Sequence, residues 1–71
     1  MKWIFYLALD AGARAVASTT DEVTCAHWIK QLCNGRETGW LEMNSVDTPH
    51  RRQFVDTARV VTFEVMKTDE Q

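Results

Sequence analysis

Residues 2–9 read Lys-Trp-Ile-Phe-Tyr-Leu-Ala-Leu, apolar or aromatic at every position after the lysine. An extended segment alternates its side chains between two faces. Trp3, Phe5, Leu7 and Leu9 fall on one side, and Ile4, Tyr6 and Ala8 on the other. A strand that is apolar on both faces lies in the middle of a sheet with both faces covered, or at an interface. The whole chain has 71 residues. A domain of that size buries only about 60% of the surface its unfolded chain exposes. Its total stability is on the order of 4–11 kcal/mol. One core is therefore all it builds, and covering both faces of such a strand is the hardest demand the sequence makes.

The rest of the chain supplies partners for that strand. Asp10-Ala11-Gly12-Ala13 reads as a turn, with Gly12 free to take positive φ, and residues 14–18 return as a weak, alanine-rich second strand. Thr19-Thr20-Asp21-Glu22 has the capping-box pattern, with Thr19 as N-cap and Glu22 three residues on. A helix over 20–34 then groups Cys25, Ala26, Trp28, Ile29, Leu32 and Cys33 on one face, and Asn34-Gly35 stops it. After the polar stretch Arg36-Glu37-Thr38, a third strand spans 40–43. A loop at Asp47-Thr48-Pro49-His50, a strand over 51–55 and a tight connection at 56–59 follow. The last strand covers 60–66, with Val61, Phe63 and Val65 inward, and 67–71 form a polar tail on a single compact domain of residues 1–66. The fold class expected is α+β, in the order β-β-α-β-β-β, with one amphipathic helix (about 20–34) packed on antiparallel strands. Residues 54–66, a strand, a short polar turn and a final strand, resemble the closing corner of SH3-like and Sm-like barrels. That resemblance implies a partly open barrel, whereas the alternation alone fits a small antiparallel sheet equally well.

Composition excludes several classes. Apolar residues make up 45% and the net charge is −2, which excludes intrinsic disorder. The acidic balance also argues against a general nucleic-acid binder. No stretch reaches the 18 or so apolar residues of a membrane span. Met1-Lys2, the apolar run and Ala15-Val16-Ala17 mimic a signal peptide, but Asp10 and Arg14 interrupt it and cleavage would remove the most apolar strand. Cys25 and Cys33 are eight residues apart, about 12 Å along a helix, too far for a disulfide. They are expected as two buried thiols in a cytoplasmic protein.

Candidate chemistry is sparse. Cys25, His27, Cys33 and His50 are zinc-ligand types without zinc-ligand spacing, and Cys25 and His27 point to different sides of a helix. Ser45, Asp47 and His50 are close only because they share a loop, and no phosphate-binding or dinucleotide motif is present. No catalytic residue, metal or cofactor is therefore assigned, and the chain is read as a non-enzyme. The aromatics point elsewhere. One helix covers one face of a sheet, so Trp3, Ile4, Phe5 and Tyr6 are candidates for a self-association surface, with a homodimer as the expected state. Trp40 alternates with Glu42 and Asn44, on the polar side of its strand, and Arg51, Arg52 and Arg59 cluster after it against Asp56 alone. Trp40, Arg51, Arg52 and Arg59 are the candidate partner-binding residues of a small regulatory or inhibitory protein-interaction module. The alternative is a small nucleic-acid-binding barrel using Arg51, Arg52 and Arg59.

Overall fold

A computed structural model describes residues 1–34 and 39–69. Its elements run β1 (Lys2–Leu9), β2 (Arg14–Thr19), α1 (Glu22–Cys33), β3 (Trp40–Glu42), β4 (Phe54–Asp56) and β5 (Val60–Thr68), with 3-10 turns at Asp10–Gly12 and Thr57–Arg59. The α+β class and the strand order match the expectation. β1 is the middle strand of a three-stranded antiparallel sheet, β2-β1-β5. β3 and β4 form a separate two-stranded antiparallel hairpin, and a bridge from Ser18 to Ser45 and a hydrogen bond from the Gln53 side chain to the Val16 carbonyl link the segment between them to the edge of β2. No helix among the described residues is long and apolar enough to cross a membrane.

The register decides which side of β1 is covered. Phe5 lies opposite Ala17 and Val65, and Leu7 opposite Ala15 and Phe63. This inner face meets Cys25, Trp28 and Leu32 of α1, and Leu41, Met43 and Val55 from the hairpin side, in one core. Phe5 and Trp28 pack edge to face, with centroids 5.2 Å apart and planes at 84°, the arrangement ring quadrupoles favour. Trp3 and Leu9 pack against the same cluster from its margins.

Local chemistry fixes the joints. Ala11 (φ 57°) and Gly12 (φ 76°) both take positive φ, and the Ala13 N–H donates to the Asp10 carbonyl at 3.3 Å. This is the type I′ geometry whose twist matches a β-hairpin. Asp21 is the N-cap of α1: its carboxylate accepts from the Thr24 N–H at 3.3 Å and the Thr24 hydroxyl at 2.6 Å. Thr19, expected in that role, is the last residue of β2, and its hydroxyl accepts from the Asp21 N–H at 3.1 Å, shaping the strand-to-helix turn. Asn34 caps the other end through its N–H to the Lys30 carbonyl. Gly35 and the Arg36-Glu37-Thr38 stretch lie outside the described residues.

Three further expectations are corrected. Cys33 is exposed while Cys25 is buried. The buried stripe of α1 is Cys25-Trp28-Leu32 with half-buried Thr24 and Gln31 beside it, so the helix is rolled away from Ile29 and Cys33. The bulky Trp28 side chain sets that roll by seating over Phe5. In β5, Val61 is exposed, because the register shifts between Ala8 and Leu9. Leu9 pairs with Val60 and Ala8 with Thr62, leaving Val61 as the extra residue of a bulge, and Val60 takes the inward place. β5 also runs to Thr68, with Lys67 opposite Trp3 and Thr68 opposite Lys2.

Phe5 is fully buried at the centre of the sheet. Phe5→Ala is expected to cost about 3–5 kcal/mol, most of what so small a domain has, and chemical denaturation should show a largely unfolded chain. At the hairpin, Ala11 holds a left-handed conformation that costs an L-residue about 1–2 kcal/mol. Ala11→Asn restores the favoured Asn-Gly pair of a type I′ turn and is expected to raise the thermal midpoint by about 4–8 °C per kcal/mol gained.

Candidate functional site

β3 and β4 place their side chains alternately inward and outward. Leu41 and Val55 are a cross-strand pair pointing into the core. Trp40 opposite Asp56, and Glu42 opposite Phe54, therefore share the outer face. Trp40 and Phe54 are diagonal neighbours there, within reach of one another for side chains of this size. They are 69% and 53% exposed, so two large aromatic surfaces face solvent on one hairpin of two three-residue strands. The hairpin is held at its base: the Thr57 hydroxyl donates to the Gly39 carbonyl at 2.6 Å, and the Thr57 N–H donates to it at 3.0 Å.

Arginines frame the two rings. The Arg52 Nε donates to Glu42 Oε2 at 2.8 Å, and its guanidinium lies 5.4 Å from the centre of the Phe54 ring, a cation–π distance. Arg59 reaches Asp10, with 2.7 Å between its Nη2 and Oδ1. A shallow pocket of about 200 Å³ brings Arg59 together with Trp40, Phe54, Asp56, Leu9 and Ala15. The Arg52 hydrogen bond, followed by one from Asn44, holds the Glu42 carboxyl below the usual carboxylate range. The same pairings push the Arg52 and Arg59 guanidinium groups up.

Of the residues read from sequence as partner-binding, Trp40, Arg52 and Arg59 gather on this face. Arg51 does not: with Arg52 it borders a different hollow of about 170 Å³, beside Val16, Thr48 and Gln53. Phe54, Glu42 and Asp10 complete the face and were not singled out by sequence. The missing signal for Phe54 was the antiparallel pairing itself, since an outward Glu42 implies an outward partner. Of the four self-association candidates, Phe5 is fully buried and Trp3 is packed on the core, so neither lies on an open surface. Both share the inner face of β1 with Leu7. Only Ile4 and Tyr6 lie on the outer face, and β1 itself has no free edge because β2 and β5 flank it.

Other groups are dispersed. No cluster of three or more His, Cys, Asp or Glu among the described residues could hold a metal. Burial, reinforced by the nearby Glu22 charge, pushes the Cys25 thiol up, away from reactive thiolate. A groove of about 370 Å³ between α1 and the 42–49 segment is lined by Thr24, Trp28, Glu42, Asn44, Ser45 and Pro49, without a titratable pair in it. Comparison with known proteins finds no matching family model, no matching curated protein and no matching solved structure.

The Glu42–Arg52 pairing gives a pH dependence of definite sign. A carboxyl whose folded pKa lies below its unfolded value, about 4.3 for Glu, contributes stability that is complete above that unfolded value. The contribution is lost as pH falls through the lower folded value. Glu42→Gln is therefore expected to lower the melting temperature at about pH 7 and to narrow its gap from the parent chain at about pH 3. Thermal melts across that range check it.

Proposed function

We propose that this chain is a non-enzymatic protein-interaction module, regulatory or inhibitory in role, that docks on a larger protein through the outer face of the β3–β4 hairpin. The observation that carries the reading is the joint exposure of Trp40 and Phe54 on a hairpin whose other side is anchored in the core. Aromatic and arginine side chains dominate the energetics of protein interfaces. Here Arg52 is already oriented over Phe54 by Glu42, and Arg59 is tied by Asp10 beside Trp40, so little side-chain freedom is left to lose on docking. The small size and the dispersal of titratable groups favour docking over catalysis.

The nucleic-acid alternative is weaker on this geometry. Phosphate binding needs uncommitted cations, and two of the three arginines behind that reading are engaged by carboxylates. The face holds Glu42, Asp56 and Asp10 as well as Arg52 and Arg59, a balance suited to a mixed-charge protein surface. A homodimer, built on the outer side of β1 at Ile4 and Tyr6, is the second part of the proposal. A cytoplasmic location is the third, supported by two free cysteines of which one is exposed.

Capture from a native lysate on the immobilised chain tests the docking face. The double variant Trp40→Ala, Phe54→Ala is expected to lose the captured protein by at least about tenfold, as removal of a hot-spot pair does, with a melting temperature close to the parent. Undiminished capture by the folded double variant would place the interface elsewhere. A salt-sensitive gain of labelled RNA or DNA oligomers on the parent chain would favour the nucleic-acid reading instead.

A further inference from the structure

The outer face of the three-stranded sheet is apolar along its middle and carries opposite charges on its two flanking strands. Ile4 lies opposite Ser18 and Met66, Tyr6 opposite Val16 and Glu64, and Ala8 opposite Arg14 and Thr62. Cross-paired residues project to the same side, so Arg14 stands on the β2 flank of this face and Glu64 on the β5 flank. α1 and the hairpin core lie on the opposite side of the sheet. Tyr6, Val16 and Met66 are 42%, 50% and 47% exposed. A shallow concavity of about 290 Å³ is framed by Tyr6, Val16, Arg14, Thr62 and Glu64.

One end of this face is already closed. Lys2 forms an ion pair with Asp47 at 3.2 Å, and the Ser18 and Ser45 hydroxyls share a hydrogen bond at 2.7 Å. The 45–47 segment thus bounds the apolar area, and the open part is centred on Tyr6. Arg14 and Glu64 make no ion pair or side-chain hydrogen bond among the described residues, unlike Arg52 and Arg59 on the hairpin face.

We infer that a second copy of this chain covers this face, sheet against sheet, about a two-fold axis running along β1. The inference rests on the self-association part of the proposed function and specifies its geometry. An axis in that direction lays β2 of each copy over β5 of the other. Arg14 then faces the partner's Glu64, and the reciprocal pair forms at the same time. A two-fold axis across the strands would instead lay β2 on β2 and β5 on β5, bringing Arg14 towards the partner's Arg14 and Glu64 towards the partner's Glu64. The charges select the first arrangement.

The dimensions allow it. Arg14 sits two residues further along the sheet than Glu64, about 7 Å, and facing sheets pack about 10 Å apart with side chains of both filling the gap. An arginine spans that offset. The 45–47 segment closes the Lys2 end. The open part of the sheet, residues 4–8 of β1 and their neighbours, therefore presents about 17 by 14 Å. Two copies cover roughly 480 Å² in flat projection, and more once side-chain relief is counted. Stable complexes bury about 1,200 Å² or more. The dimer is therefore a weak one, formed and lost with concentration.

Sedimentation equilibrium on the full chain, from about ten micromolar to about one millimolar, tests the inference. A reversible two-copy species is expected. Arg14→Glu and Glu64→Arg, both at exposed positions, should each weaken it by about tenfold, and the two together should restore it to within about threefold, because the pair is then reversed rather than removed. Circular dichroism melts confirm that each variant remains folded. A chain that is monomeric throughout overturns the dimer itself, while the capture experiment on Trp40 and Phe54 stands independently. A dimer indifferent to both reversals, or weakened without rescue, overturns the Arg14–Glu64 pairing and leaves self-association to another surface. A monomer whose capture of another protein falls on Tyr6→Ser overturns the inference by assigning this face to that protein.

Discussion

The structure depends on β1 being bonded along both edges. A central strand cannot choose which side to show: its alternation commits Phe5 and Leu7 to one face and Ile4 and Tyr6 to the other. The inner residues gather the core cluster, with Trp28 edge-on against Phe5 and Leu41, Met43 and Val55 closing it from the hairpin. Among the described residues there is no second α-helix to lay across the outer face. The same strand that makes the core possible also leaves apolar surface outside it.

Two outward faces result, of different character. The hairpin face carries exposed rings held by committed arginines, so its charges are internally balanced. The outer sheet face carries aliphatic and aromatic groups between Arg14 and Glu64, which find no partner among the described residues. The first suits a mixed-charge partner of another kind. The second is complementary to itself under a two-fold rotation. The two faces belong to different sheets and adjoin at the hollow shared by Val16 and Arg52.

Much of this was legible in the amino-acid order, and the limits have physical causes. The run at residues 2–9 announces a two-sided strand because each of its side chains is apolar or aromatic apart from Lys2, whatever the register. The helix is legible from Trp28 and Leu32, but its roll is not, since Cys25, Ile29 and Cys33 lie on one arc and only packing against Phe5 decides between them. The cap moved from Thr19 to Asp21 because Thr19 is still paired with Trp3 in the sheet. The bulge at Val61 depends on how β5 meets Leu9, a relation between segments about fifty residues apart. The arginines illustrate the same limit. Arg59 finds Asp10 forty-nine positions away and Arg52 finds Glu42 ten away, so two of the three arginines that look like free positive charge along the chain are paired in space. Trp40 was legible as outward-facing, whereas Phe54 becomes part of its surface only once β3 and β4 are paired.

Native-state hydrogen exchange, followed residue by residue by NMR, tests the central position of β1 most directly. The Ile4 to Ala8 amides are expected to exchange only through global unfolding, at the slowest rate in the chain, because neighbouring strands accept from both edges of β1. The β5 amides that face solvent should exchange faster by orders of magnitude. Amides of β1 that exchange as fast as those on the free edge of β5 would contradict it, since the strand would then lie at an edge and the two-faced centre would not exist.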